Sequence, residues 1–175
     1  MDHLKERKEK TMEETNTNQR NTTKVIAQAA IIAAAYAALT LLIMPASYGI
    51  MQFRVSEALT ILPIFTPAAI PGLFVGCIVS NIVSPVGLID VVVGSAATLI
   101  AACLTYKLRD NKLIALLPPV LTNAVFVGFE LYKFYNVGFS LPACMFWVGL
   151  GEAAAVYLVG YPLSLLLEKH RKIFD

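Results

Sequence analysis

The chain has 175 residues, of which 57% are hydrophobic and 15% are charged, whereas soluble domains average about 45–50% apolar residues. Six of the 14 Lys and Arg residues, and five of the 12 Asp and Glu residues, fall within the first 24 positions. Between Val25 and Tyr106 the only charged residues are Arg54, Glu57 and Asp90. This composition excludes an ordinary soluble domain and predicts an all-α, multi-pass membrane protein with a polar N-terminal tail.

The hydropathy pattern divides the chain into three parts. Residues 1–23 are charged and then rich in Asn and Thr, so they lack the apolar residues for a core and are predicted to form a disordered cytoplasmic tail. Residues 24–168 form the predicted transmembrane domain, and residues 169–175 a basic cytoplasmic tail. The apolar run after the first tail is too long for the apolar region of a signal peptide, so we interpret it as a retained span.

The first predicted span runs over Lys24–Met44, close to the ~20 residues that cross a bilayer core, and Pro45 ends it. The next apolar run, Glu57–Phe65, is short and is interrupted by Pro63. Longer runs follow along the rest of the chain, at Gly72–Val83, Leu88–Tyr106, Leu113–Tyr135 and Leu141–Leu167.

The basic residues decide whether the short run crosses the membrane. They cluster in the N-terminal tail, in Lys107–Lys112 and in Lys169–Lys172. Basic clusters mark the cytoplasmic side, and all three share one side only if Glu57–Phe65 crosses. We therefore predict six transmembrane helices with both termini in the cytoplasm. The short second span must be extended by its flanks or covered by its neighbours.

The first span carries two interleaved series of alanines four residues apart. These are Ala29, Ala33 and Ala37, and Ala30, Ala34 and Ala38. Each series forms a stripe along one helix face, and small residues allow close backbone approach between helices in lipid. Such a face either docks a helix of another protein or packs inside its own bundle. The spacing alone favours packing inside the bundle.

Polar side chains inside the spans are the candidate ligand contacts. Glu152 stands near the middle of the last span beside Gly149 and Gly151, which leave room for a ligand. Asn123 and Glu130 are seven residues apart in the fifth span and so share a face. Carboxylates, an amide and nearby aromatic rings suit a planar, hydrogen-bonding molecule such as a purine-like base.

Each candidate also has a structural interpretation. Glu130 and Lys133 are three residues apart and could form an interfacial ion pair, and the aromatic residues around them could form a belt at the membrane interface. Arg54 and Glu57 could cap the second helix. Asp90 follows a turn at a helix start, where a carboxylate is favoured by the helix dipole.

Catalytic and phosphate-binding motifs are absent from the sequence. It contains no GxxxxGK[ST] loop and no HExxH, and its histidines, His3 and His170, lie near the two ends. Cys77, Cys103 and Cys144 stand in apolar runs without a CxxC pair and are interpreted as small apolar side chains. We therefore expect no enzyme activity, no metal or cofactor, and no nucleic-acid partner.

Two stretches resemble a known family. QFRVSEALTILPIFTPAAIPGLFVGCIVSN (Gln52–Asn81) and GLIDVVVGSAATLIAACLTY (Gly87–Tyr106) are similar to the QueT family. Its members are the substrate-binding S components of energy-coupling factor (ECF) transporters, assigned to queuosine precursors. The resemblance covers roughly Lys24–Leu167, and the FRVSEAL block, the TPAAIPG turn and the GLID element carry it together.

The resemblance implies a six-helix protein of the bacterial cytoplasmic membrane with both termini inside. It implies that the chain binds a micronutrient from outside and docks on a transmembrane T component and two ATPases. It also implies that the first helix is the docking surface, with Ala29, Ala30, Ala33 and Ala34 in contact with the partner. This replaces the packing interpretation of the alanine stripe.

The implied ligand is a 7-deazaguanine, either queuine or an aminomethyl-deazaguanine. As a hypothesis of our own, Glu152 accepts hydrogen bonds from the guanine-like edge, Asn123 completes that edge, and Glu130 or Asp90 meets a ligand amine. The remaining predicted contacts are stacking by Phe126, Tyr132 or Trp147, and an outer lid that includes Arg54 and Glu57.

Other functions stay open. The chain could be an S component for another micronutrient. It could be a stand-alone carrier that couples transport to protons through Glu130 and Glu152, although no inverted repeat is visible. It could also be an assembly protein whose alanine face binds helices and which has no ligand.

Overall fold

A computed structural model describes residues 2–43, 54–84, 87–135 and 137–174, with side chains described from residue 19 onward. Within these ranges the chain is all-helical, as predicted. The predicted end of the first span at Met44 and Pro45 lies outside the described residues.

The first helix, α1, runs over Asp2–Leu42 and is far longer than the predicted span. Its apolar part, Gln19–Leu42, is long enough to cross a membrane. The N-terminal segment, which the composition predicts to be disordered, is helical from Asp2. Lys, Glu, Gln and Met have favourable helix propensities, and a helix that is already nucleated extends at little cost, so the segment continues the span as helix.

The short apolar run predicted as the second span is a 3₁₀ helix over Val55–Ile64, with Pro63 inside it. Eight of its ten residues are buried. A 3₁₀ helix rises about 2.0 Å per residue, so ten residues cover about 20 Å, which is more than an α-helix of the same length. The helix is covered by its neighbours, which is one of the two solutions predicted for so short a span.

Four further helical segments complete the fold. The first two are α2 (Ala69–Asn81) and α3 (Leu88–Lys107). The third is α4 (Leu117–Phe134), which is preceded by a one-turn helix at Lys112–Ala115. The fourth begins as α5 (Leu141–Ala153) and continues through a π-helix (Ala154–Gly160) into α6 (Tyr161–Lys169). By length and composition, four described segments can cross a membrane: Gln19–Leu42, Leu88–Lys107, Lys112–Phe134 and Leu141–Lys169. The chain is therefore a multi-pass membrane protein.

The helices pack in chain order, α1 on α2, α2 on α3, α3 on α4 and α4 on α5. The 3₁₀ helix lies among them and contacts α1, α3 and the π-helix. Large apolar side chains point outward, among them Ile31, Leu88 and Leu158. Such a surface suits lipid and not water.

Surface ion pairs and a folded-back C-terminus close the end of the bundle where the basic clusters meet. Lys112 Nζ lies 2.9 Å from Glu168 Oε2, and Arg171 lies 3.3 Å from the other oxygen of the same carboxylate. Phe174 stacks on Phe65 with ring centroids 5.5 Å apart. The segment after α6 is therefore packed against the bundle.

Candidate ligand-binding site

Charged side chains are buried together inside the bundle. Among the described residues, the buried charged residues are Arg54, Glu57, Asp90, Glu130 and Glu152. They come from the start of the 3₁₀ helix and from α3, α4 and α5. Buried ionisable groups are costly in a membrane domain and mark functional sites, so this cluster is the candidate site.

Glu57 is held by α1. The Tyr36 hydroxyl donates a hydrogen bond to Glu57 Oε1, and both side chains are fully buried. One turn later, the Thr40 hydroxyl donates to Ser56 Oγ over 2.7 Å. Asn123 and Glu152 lie beside Glu57. The 3₁₀ helix is thus tied to α1 on one side and reaches the polar residues of α4 and α5 on the other.

A small cavity opens between these groups. Arg54, Asn123, Val127, Val148 and Glu152 line it, and its volume is about 10 Å³, the space of a single water molecule. Glu152 is 2% exposed, and its Oε1 has no hydrogen-bond partner among the described residues. The cavity is therefore lined by an unpaired carboxylate oxygen, an amide and a guanidinium on its polar side, and by two valines on its apolar side.

Two helices of unusual pitch bring Glu57 and Glu152 together. The π-helix begins two residues after Glu152, and it packs against the 3₁₀ helix that carries Glu57. Gly160 makes this contact close, because a Cβ atom there would stand 3.1 Å from the Ala58 carbonyl oxygen. π-Helical turns are often found at functional sites.

Asp90 is the centre of a second polar group. It lies in the first turn of α3, as predicted, after Gly87, whose φ of 59° favours glycine. The Ser84 hydroxyl donates to Asp90 Oδ2, and so does the Tyr135 hydroxyl over 2.7 Å. Asn81 Nδ2 donates to the Asp90 backbone carbonyl over 2.9 Å. The Asp90 carboxylate is therefore oriented by its surroundings.

Glu130 lies beside Asp90 and differs from it in its hydrogen bonds. It is 1% exposed, yet neither of its carboxylate oxygens has a hydrogen-bond partner among the described residues. The interfacial ion pair with Lys133 is not formed among the described residues, since neither Glu130 oxygen has a partner and Lys133 is exposed. Asn123 and Glu130 are both buried, as expected of two residues on the inward face of α4.

Two of the three predicted stacking residues are exposed and are not buried with the carboxylates. Phe126 is 39% and Tyr132 is 46% exposed, on the outside of α4. Trp147 is half-buried and meets Phe146 edge-on, with ring centroids 5.7 Å apart. For α4 this arrangement matches the alternative interpretation, an aromatic belt in lipid.

The predicted lid residues lie inside the site. Arg54 and Glu57 are buried, and Arg54 lines the cavity itself. Arg54 precedes the 3₁₀ helix, and its carbonyl accepts from the Glu57 backbone N–H over 3.0 Å, but its side chain makes no capping hydrogen bond. Both side chains are buried, so their charges belong to the polar cluster.

The two alanine series face different surroundings. Ala29 and Ala33 are half-buried against α2, where a Cβ atom on Gly72 or Gly76 would stand 2.8 Å from their carbonyl oxygens. Ala30 and Ala34 are exposed. The bundle itself therefore packs against the series of Ala29 and Ala33 and leaves Ala30 and Ala34 exposed.

Sequence reasoning missed four residues that hold the site: Tyr36, Asn81, Ser84 and Tyr135. Tyr36 and Thr40 could have been found, because they continue the stripe of Ala29 and Ala33 at helical spacing. Asn81 is a polar residue at the end of an apolar run, which is itself a signal. No described group of three His, Cys, Asp or Glu residues is arranged to hold a metal ion.

Comparisons with known proteins place the chain among transporters. A family model described as "QueT transporter" matches residues 26–169. The chain is 29% identical over 150 residues to the queuosine precursor transporter QueT of Lactococcus lactis subsp. cremoris (strain MG1363), an alignment that covers 78% of this chain and 88% of that protein. No solved structure matches significantly. Because the family model covers most of the chain, the protein belongs to the QueT transporter family, a family of transporters and not of enzymes.

Proposed function

We propose that the chain is the substrate-binding S component of an ECF-type importer in the bacterial cytoplasmic membrane. It captures a 7-deazaguanine precursor of queuosine outside the cell and delivers it through a T component and two ATPases. The buried cluster around Glu152 carries this proposal, since family membership alone does not identify a binding site. The related protein of L. lactis is named for a queuosine precursor.

The cavity residues suit the edge of a guanine-like base. Glu152 Oε1 is unpaired and accepts from a ring N–H and an exocyclic amino group, while Asn123 both donates and accepts. Val127 and Val148 cover the face of the base. The cavity holds only about one water, so binding requires the elements around Arg54 to move apart.

The partners follow from what the chain lacks. Its sequence has no GxxxxGK[ST] loop, so ATP-driven uptake needs separate ATPases. The exposed face of α1, with Ala30 and Ala34, is smooth enough for close approach of a partner helix. Both termini then lie in the cytoplasm with all three basic clusters.

Equilibrium binding to the purified chain in detergent tests the ligand. We expect tight binding of queuine or 7-aminomethyl-7-deazaguanine without any partner protein, and no binding of riboflavin. Glu152→Gln should abolish binding, because the amide nitrogen replaces an acceptor with a donor. Glu168→Gln is the matched control on the same helical segment, since Glu168 is exposed and paired with Lys112. Failure of every deazaguanine to bind would refute the assignment.

Uptake by cells tests the docking. Ala34→Leu should leave ligand binding intact and abolish uptake in cells that contain the T component and ATPases, because a larger side chain prevents close helix contact. Uptake by proteoliposomes of the chain alone, driven by a pH gradient, would instead establish the stand-alone proton-coupled carrier.

A further inference from the structure

The polar cluster contains more acid than base. Glu57, Asp90, Glu130 and Glu152 are buried, whereas Arg54 is the only basic residue among the described buried ones. A low-dielectric interior makes an excess of one charge expensive unless a partner of opposite charge is supplied. A ligand that brings a positive charge would therefore be stabilised in this site. The inference rests on the proposed function.

The neighbouring carboxylates of Asp90 and Glu130 are not equivalent in their hydrogen bonds. Oδ2 of Asp90 already accepts hydrogen bonds from the hydroxyl groups of Ser84 and Tyr135. Glu130 is equally buried, and neither oxygen has a hydrogen-bond partner among the described residues. A buried acceptor without a donor is rare because desolvation is then uncompensated. Glu130 is thus the group with free acceptor capacity, and Asp90 is held in place beside it.

The spacing along α4 matches a ligand with two polar ends. Asn123 and Glu130 are seven residues apart, which is two turns and about 10 Å along the helix axis. Val127 lies between them and lines the cavity. α4 therefore presents an amide, an apolar wall and a carboxylate in line, as a flat base with a short cationic arm requires.

We propose that Glu130 binds the protonated amine of the ligand, so that the site selects an aminomethyl-substituted deazaguanine over a neutral analogue of the same ring. An ammonium group offers three donors and can meet both Glu130 oxygens. Asp90 contributes negative charge from the side, and its hydroxyl partners keep it from swinging into the site. The assignment distinguishes Glu130 from Glu152, which recognises the base.

Competition between two ligands tests this. We would measure equilibrium binding of 7-aminomethyl-7-deazaguanine and of 7-cyano-7-deazaguanine, whose nitrile is neutral, to the full chain in detergent. The aminomethyl compound should bind about 10- to 100-fold more tightly than the cyano compound, because a hydrogen bond to a charged group changes affinity by about that factor. Glu130→Gln should lower the affinity for the amine to that for the nitrile and leave the affinity for the nitrile unchanged.

Two further variants separate charge from packing. Glu130→Asp keeps the carboxylate and should retain a preference for the amine, whereas Glu152→Gln should abolish binding of both ligands. Equal affinity of the wild-type chain for amine and nitrile would overturn the role of Glu130 while leaving a deazaguanine receptor in place. Equal loss of both ligands in Glu130→Gln would do the same. If neither ligand binds to the wild-type chain, the proposed function itself fails.

Discussion

Two faces of α1 carry the same residue type, alanine, but one face packs against α2 and the other is exposed. On the inner face, Ala29 and Ala33 lie against Gly72 and Gly76 of α2, and Tyr36 continues the stripe to reach Glu57. On the outer face, Ala30 and Ala34 are exposed in the part of the chain that the structure describes. The series are offset by one residue, a rotation of about 100° around the helix. A small-residue stripe therefore indicates close approach without identifying what approaches.

The inner face is a close contact of backbones. A Cβ atom at Gly76 would stand 2.8 Å from the Ala33 carbonyl oxygen and 2.9 Å from the Tyr36 Cβ. In lipid such contacts are held by packing, because there is no hydrophobic driving force between helices. The same contact fixes Tyr36, so packing and ligand site are linked on this face. Four substitutions test the contrast through the free energy of unfolding.

Gly76→Val should have the largest effect, a loss of about 3 kcal/mol, since overpacking against backbone cannot be relieved by a side-chain rotation. The midpoint of thermal unfolding in detergent measures it. Gly149→Ala is a milder comparison, because its Cβ would meet a single atom, the Ala124 Cβ, at 3.2 Å. A Gly76→Val chain as stable as wild type would show that α1 and α2 are not in close contact.

Ala37→Leu should destabilise the chain by about 2 kcal/mol, because Ala37 is buried on the inner face, where three more carbons would overpack the helix contact. Ala38→Leu is the matched control, one residue further along and exposed. Thermal unfolding of the pair measures the difference. Similar midpoints for the two variants would contradict the assignment of the faces.

Tyr36→Phe should cost about 1 kcal/mol, since Glu57 loses a hydrogen-bond donor while the ring packing stays. Thermal unfolding again measures this loss. Ligand affinity should also change, because Glu57 lies beside Asn123 and Glu152. Tyr157→Phe is a suitable control, as that hydroxyl donates to the Leu113 carbonyl at a distance from α1. Unchanged stability and affinity would mean that the Tyr36 hydroxyl does not support the site.

Ala34→Leu should have the smallest effect on stability, within about 0.5 kcal/mol, as for other exposed substitutions. A midpoint of unfolding equal to that of the wild-type chain, together with lost uptake, would identify the outer face as a contact surface only. A large loss of stability would place Ala34 in a contact within the bundle.

Much of the fold could be predicted because its signals are local. Apolar runs, prolines and basic clusters predicted six transmembrane helices. Apart from the short 3₁₀ turn at Arg171–Ile173, the described helices fall into six runs at those places, and four of these runs are long and apolar enough to cross a membrane. Asn123, Glu130 and Glu152 are polar residues within apolar runs, and all three are buried. Burial of such a residue follows from the cost of exposing it to lipid.

Helical geometry alone already bears on two of the predicted contacts, the stacking by Tyr132 and the docking by Ala29 and Ala33. Tyr132 follows Glu130 by two residues, a rotation of about 200°, so it could not share the face of Glu130. The spacing of Gly72 and Gly76 matches that of Ala29 and Ala33, which favours pairing of those two stripes. The burial of Arg54 and Glu57 had no such signal, because it depends on the helices that surround the 3₁₀ helix.

The sequence by itself determined that the chain is helical and crosses a membrane, because hydropathy and charge act over single segments. It also supplied the polar residues of the site, since each is conspicuous in its own span. Only the tertiary structure decided that Tyr36 reaches Glu57 and which alanine series is covered. It also decided that, among the described residues, no donor meets the Glu130 carboxylate whereas two meet that of Asp90. These depend on the relative rotation and approach of different helices, which no single segment encodes.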